Sequence, residues 1–236
     1  MVKFLVTLRS GGDYHPEHVV SLMRQLRRNV TVAHEFICYT DTPINHALIK
    51  EIPLISDWPG WWACIEMFRE SGPCIATGLD SIIINNIDYL FELALTCPKD
   101  VFYMTRPQPR AMKRGKKYCS GIMMWNGDWS WVFNEFDPRI IKKLHGDQDY
   151  TLSKLIERKI EIRKTQDYFQ GFYGFKQETK RGKALPSDAK MIGFHGKPRP
   201  WECTDVDWVM KAYHDETIPE TELDKLLKEK KIGKSI

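Results

Sequence analysis

Asp80 stands between two apolar runs. Cys74, Ile75 and Ala76 precede it without a charge, and Ile82, Ile83 and Ile84 follow, three β-branched residues in succession. Such runs suit a strand covered on both faces by helices. A carboxylate in that setting is costly to bury alone, so it needs a cation, a hydrogen-bond donor or an opening to water. It is either the rim of a cleft, holding a metal ion that carries a phosphorylated ligand, or a cap on a turn between two strands. A second acidic group, Asp147-Gln148-Asp149, opens a helical stretch, where acids also serve as caps that favour the helix dipole. Near the C-terminus, Phe194-His195-Gly196-Lys197-Pro198 closes a short apolar run.

The elements that must position these groups follow from periodicity. Lys3 to Leu8 reads as a first strand and opens into Arg9-Ser10-Gly11-Gly12-Asp13. Pro16 then starts a helix whose apolar residues, Val19, Val20, Leu22, Met23 and Leu26, recur at helical spacing. His34 to Tyr39 is the next strand. Strand, helix, strand in this order predicts a parallel βαβ unit. Ligands of such sheets bind beyond the carboxyl ends of the strands. Arg9, Ser10, Thr40 and Asp41 fall at those ends.

Further on, strands are expected at 48–55, across the Asp80 region, at 101–104, 118–125, 160–162 and 191–194. Helices are expected at 61–70, 88–95, 130–136, from His145 through Leu155, and from Asp205 into a frayed Lys-rich tail. Arg106 to Lys117 is a basic, proline-containing loop: a solvated surface segment, or a flap that closes over a charged ligand.

Composition bounds the rest. The chain has 236 residues, enough for one large domain, with 42% hydrophobic and 28% charged residues, as in ordinary globular proteins. A formal charge of +4 is too small to imply nucleic acid and fits one basic cleft for a small anion. The six cysteines are scattered without zinc spacing, which suits reduced thiols and a cytoplasmic setting. Nothing at the N-terminus reads as a signal peptide, and no membrane span is expected. Trp61, Trp62 and Trp125 are either platforms for a sugar face or core, and Trp201 is a further aromatic candidate of the same kind.

Six segments in order, TLRSGGDYHPEHV with CYTD, GWWACIEMF, GLDSIIINNIDYLF, CSGIMMWN, GDQDY and FHGKPRPW, resemble the GT-A glycosyltransferases. The likeness is to the glycogenin-like and lipopolysaccharide galactosyltransferase-like enzymes and to small viral and bacterial relatives, and it runs from Lys3 to Glu202. It implies an α/β fold: a single GT-A (Rossmann-like) domain over 1–204, with a mixed, mainly parallel central sheet flanked by helices. A C-terminal helical extension and tail would occupy 205–236. It implies transfer of a hexose-type sugar from a nucleoside diphosphate sugar, uridine diphosphate first among them, to a saccharide or glycan acceptor, with Mn2+ or Mg2+ against the two phosphates. Retention of anomeric configuration is the outcome that the resemblance leans towards.

Carried over residue by residue, the resemblance makes Asp80 and His195 the metal ligands. Thr7, Leu8, Arg9, Tyr39 and Asp41, together with Thr40 and Leu79, would frame the nucleotide. Gly196 would let the backbone approach the phosphates and Lys197 would neutralise them. Asp149 is the first choice and Asp147 the second for the acid that faces the transferred sugar, with Gln148 beside them. Two positions depart from the pattern. Relatives run DLDTVIVGNIDELF where this chain has GLDSIIINNIDYLF, so Gly78 replaces the first metal-binding Asp; Cys64 stands where relatives often carry Lys. Losing one charged oxygen weakens a site for a hard cation. Three readings follow: a metal held by Asp80, His195 and the phosphates alone, a site without a tightly bound metal, or a catalytically impaired or non-catalytic sugar-nucleotide binder. The first is the expectation tested below.

Overall fold

The computed structural model describes residues 1–217; most of the Lys-rich tail lies outside the described residues. In chain order the strands and helices are β1 (Val2–Leu8), α1 (Pro16–Asn29), β2 (His34–Thr40), β3 (Lys50–Pro53), β4 (Cys74–Thr77), β5 (Ser81–Ile83), α2 (Asp88–Thr96), β6 (Val101–Thr105), α3 (Pro109–Met112), β7 (Cys119–Trp125), α4 (Ser130–Asn134), α5 (Asp147–Glu157), β8 (Glu161–Lys164), β9 (Phe172–Gly174), β10 (Met191–Gly193) and α6 (Asp207–His214). A 3₁₀ run, Gly60–Arg69, stands where the sequence predicts an α-helix.

Seven strands form the main sheet in the order β3-β2-β1-β4-β7-β6-β8. β3, β2, β1 and β4 run parallel, β7 is antiparallel to both neighbours, and β6 and β8 are parallel to each other. The sheet is therefore mixed and mainly parallel, as expected. Its two faces are both covered. Phe4, Val6 and Leu8 of β1 join one core with Leu22 and Leu26 of α1 and Phe91 of α2. Leu5 faces the other core with Phe68, Phe102 and Trp125. Alternate residues thus serve opposite apolar layers, which is why the strand reads as continuously hydrophobic.

One expectation needs correction. The apolar residues after Asp80 do not continue the central sheet. β5 leaves it and pairs antiparallel with β10, which also pairs with β9, a strand the sequence did not announce. Gln25, fully buried on α1, fixes this departure by accepting the Ile83 N–H at 2.8 Å. Both runs are apolar because each sheet buries its strand, and periodicity does not say which sheet a strand joins.

α6 packs on α1. Ser21 Oγ donates to the Tyr213 carbonyl at 2.6 Å, and Arg28 donates to the Ala212 and Asp215 carbonyls at 2.8 and 2.6 Å. Among the described residues no helix is long and apolar enough to cross a membrane. All six cysteines are free thiols.

Candidate active site

The parallel half of the sheet ends at a cavity of about 540 Å³. Six pieces of chain wall it, one of them β7 through Ser120, Gly121 and Met123. The end of β1 brings Thr7 and Arg9, and the loop after it brings Asp13 and Tyr14. The 3₁₀ run brings Trp61, Cys64 and Met67. With three residues per turn, positions three apart eclipse one another, so these three side chains stack along a single wall. The crossing from β4 to β5 brings Thr77 to Ser81, and α5 opens on Asp147. The last piece, from β10 onward, brings Gly193, His195, Gly196 and Arg199.

Asp80 sits where the chain passes from the large sheet to the small one. Thr77 Oγ1 ties the end of β4 to β7 through the Gly121 carbonyl at 2.7 Å, and the Phe194 N–H ties β10 back to the Asp80 carbonyl at 2.9 Å. The Asp80 carboxylate is not alone. Its Oδ2 accepts from Arg199 Nη1 at 2.7 Å and from the Gly196 N–H at 3.2 Å. Arg199 and Asp80 are only 15% and 18% exposed, so this ion pair is well shielded from water.

His195 adopts left-handed backbone, φ 50°, and lines the cavity. Its ring fills the space left by two glycines. A Cβ on Gly121 would come within 3.0 Å of Cε1, and one on Gly193 within 2.9 Å of Nε2. Burial pulls the imidazole pKa down, but the hydrogen-bonded Cys119 thiol and the Asp80 carboxylate outweigh it and leave it above the ordinary value.

The residues present do not make an ordinary divalent-cation centre. Among the described residues no three His, Cys, Asp or Glu side chains gather in a way that could hold one. Gly78 offers no oxygen, and one oxygen of Asp80 is engaged by a guanidinium. His195 shares its ring with Cys119. The expected pairing of Asp80 and His195 around a metal is therefore not what the donor set supports, because hard cations need several free oxygens.

The acids of the second group separate. Asp147 lines the cavity. Burial, the largest effect, pushes its carboxyl up to about 7, against the backbone hydrogen bonds at the helix start that pull it down. Asp149, the first choice from sequence, instead pairs with Lys116 of the basic 106–117 segment at 2.8 Å. Gln148 holds α5 to β7: its Oε1 accepts the Ser120 N–H at 3.0 Å and its Nε2 donates to the Tyr118 carbonyl at 3.3 Å.

Of the expected nucleotide contacts, Thr7, Arg9, Leu79 and Gly196 line the cavity. Asp41 accepts from the Ser10 N–H and Oγ at 2.8 and 2.6 Å and pairs with Arg9 at 3.3 Å, so it positions the loop after β1. Burial works against its ionisation, but those hydrogen bonds and Arg9 prevail and hold its carboxyl below the usual range. Leu8 and Tyr39 are corrections, since both lie in the core at 1% exposure, and the Tyr39 hydroxyl donates to Glu70 at 3.3 Å. Lys197 is a third: it is 68% exposed and reaches Glu202 at 3.6 Å, while Arg199, two residues on, faces the cavity. Sequence reasoning also missed Lys176, whose Nζ donates to the His195 carbonyl at 2.8 Å. The signal for Arg199 was present in HGKPRPW as a second cation; none marked Lys176.

The aromatic candidates divide by exposure. Trp62 and Trp125 are core, at 5% and 0%, whereas Trp61 is 62% exposed on the cavity wall. Trp201 stacks on His18 at 3.7 Å.

The fold is GT-A-like, one shared with solved glycosyltransferases. The chain resembles the glycosyltransferase GlyE of Streptococcus pneumoniae TIGR4 (TM-score 0.62, 13% identity, 100% of this chain and 65% of that one). It also resembles the galactosyltransferase LgtC, whose structure holds donor and acceptor sugar analogues (TM-score 0.59, 10% identity, 92% of this chain and 98% of that one). A third likeness is to the bifunctional glycosyltransferase WbbM (TM-score 0.57, 12% identity, 97% and 51%). The chain thus spans just under two thirds of GlyE and about half of WbbM. No protein-family model and no curated protein sequence matches it. At 10 to 13% identity the likeness establishes the fold.

Proposed function

We propose that the chain transfers a hexose-type sugar from a nucleoside diphosphate sugar, a uridine diphosphate sugar in the first instance, to a saccharide or glycan acceptor. Residues 1–204 are the transferase unit on this reading, with 205–236 as an extension, and the free thiols fit a cytoplasmic setting. The observation that carries it is the meeting of two kinds of group in one cavity: cationic Arg199, with Lys176 close behind it, and the acid Asp147. Departure of a nucleoside diphosphate builds negative charge that fixed cations and N–H groups stabilise. Asp147 lines the same cavity, where a carboxylate binds sugar hydroxyls and stabilises the positive charge that develops at the anomeric carbon. The cavity has the volume of ordinary small-molecule sites and lies beyond the strand ends, where ligands of such sheets bind.

A thermal-shift screen of uridine, guanosine and adenosine diphosphate sugars tests this, because a ligand of the native state raises its melting temperature. At least one donor is expected to raise Tm and to be hydrolysed slowly without acceptor. A panel without a shift and without hydrolysis would refute the reading. Binding without any turnover, with or without acceptor sugars, would favour the non-catalytic binder instead.

Trp61 supplies a second check. An exposed indole at a cavity mouth suits the apolar face of a sugar, and aromatic contacts contribute about 0.5–1.5 kcal/mol. Trp61→Ala is expected to raise the KM for the sugar ligand about 3- to 10-fold with kcat little changed, the mark of lost uniform binding. An unchanged KM for donor and acceptor alike would remove that role.

A further inference from the structure

Gly78 has an ordinary backbone, so its conformation does not demand glycine. Space does. A Cβ there would lie 2.8 Å from Asp80 Oδ1 and within 4 Å of nothing but Asp80. That oxygen belongs to a carboxylate already held on its other side by Arg199 and the Gly196 N–H. A side chain at position 78 would therefore press on the Asp80 carboxylate, which must shift to make room. The missing acid and the Asp80–Arg199 pair are two parts of one arrangement.

Arg199 itself is built for more than that pair. It is 15% exposed and lines the cavity. Its Nε is buried and donates to nothing. Its Nη2 makes a second, longer ion pair with Asp13 at 3.6 Å, and its guanidinium carbon lies 4.8 Å from the centre of the Tyr14 ring. A guanidinium is a permanent cation with a planar fork of donors that matches phosphate oxygens. A buried N–H without an acceptor is costly, and an anionic ligand would relieve that cost. The Lys176 ammonium, on the His195 carbonyl, adds a second positive group on the same side.

We propose that Arg199, docked on Asp80 in the space Gly78 leaves open, stands in for a divalent cation and receives the diphosphate of the ligand. Asp80 then positions a guanidinium instead of ligating a metal. This rests on the sugar-nucleotide reading above. It carries a consequence which that reading lacks: diphosphate binding by this chain does not depend on divalent cations.

The test uses uridine diphosphate, with guanosine and adenosine diphosphates alongside, and uridine monophosphate as the control that lacks the second phosphate. Binding is measured by calorimetry on the full chain in excess EDTA and again with Mn2+. A nucleoside diphosphate is expected to bind equally well in both. Arg199→Met should weaken it about 10- to 100-fold, the loss for a charge-assisted hydrogen bond to phosphate, with a smaller effect on the monophosphate. Arg199→Lys keeps the charge and should recover part of the affinity. Gly78→Asp should weaken binding in EDTA by displacing Asp80. The melting temperature of each variant without ligand shows whether it remains folded.

Binding that vanishes in EDTA and returns with Mn2+ would overturn the proposal and leave the sugar-nucleotide reading standing. So would a folded Arg199→Met that binds as the wild type does. Failure of every nucleotide to bind, with or without metal, would instead sink the sugar-nucleotide reading, and this proposal with it.

Discussion

Asp147→Asn is expected to lower the rate of sugar transfer, or of donor hydrolysis, by about 10²- to 10⁴-fold, the range for a side chain that acts on protons or charge at the reacting centre. The variant keeps the shape of the side chain and its place at the start of α5, so donor affinity should change little. In the wild type the rate should rise with pH through about 7, as the Asp147 carboxyl gives up its proton; in the variant that step should be flat. The same group leaves a mark on stability. Burial raises its native pKa above the unfolded value of 3.8, to about 7. The protonated form is thus favoured by folding. Its contribution is complete below the unfolded pKa and is lost as pH rises through the native one. Between about pH 4 and 7, Asp147→Asn should gain stability relative to wild type, by at most about 1.4 kcal/mol per pH unit, with a matching rise in melting temperature that is held above that window. Equal rates for the two proteins, or a Tm difference that does not move with pH, would remove Asp147 from the mechanism.

The largest effect on stability is expected at Glu66. Its side chain is fully buried in the 3₁₀ run. Its carboxylate accepts the Ile55 N–H at 3.0 Å, the Ser56 N–H at 2.8 Å, the Ser56 hydroxyl, and Arg69 at 2.7 Å. Arg9, on the cavity wall, in turn donates to the Ser56 carbonyl at 3.2 Å. One buried acid thus holds the loop on which the cavity-lining Arg9 rests. Glu66→Ala would strand several donors at once, and breaking such a buried charged pair costs about 3–5 kcal/mol. For a chain of this size that corresponds to a fall in Tm of about 6–20 °C. Glu66→Gln keeps one acceptor oxygen and should lose roughly half as much. Thermal denaturation followed by circular dichroism reads both; a Glu66→Ala melting point within about 2 °C of wild type would show that the loop holds itself.

Much of the fold was legible in the sequence. β1, α1 and β2 lie within a residue or two of where periodicity puts them, because each buries a face whose spacing is local. The partner of β5 was not legible. Ile82 and Ile83 are apolar for the same reason in either sheet, and the strand they pair with, β10, lies about a hundred residues away. β9 was missed because three residues carry too little pattern.

At the site, the sequence pointed to segments that the structure brings to one cavity, but not every residue named within them lines it. Asp147 and Asp149 are two apart, hence about 200° apart around a helix, so only one could face the cavity, and spacing alone does not say which. In HGKPRPW both cations were visible, but the chain turns through left-handed backbone at His195 and Gly196, φ 50° and 86°, and that turn sends Lys197 outward and Arg199 inward. Lys176 and Glu66 carried no local signal of function, since each acts through a partner in another segment.

By itself, then, the sequence determined the fold class, the order of its elements, and the acid, Asp80, between two buried runs. It also showed the gap at Gly78 where relatives carry a second acid. Those are properties of residue type and local spacing. Only the tertiary structure decided what fills the gap. Asp80 and Arg199 are 119 positions apart, and their 2.7 Å contact exists because β5 crosses to a second sheet and β10 returns beside it. No periodicity encodes such a meeting; it follows from strand pairing between distant parts of the chain.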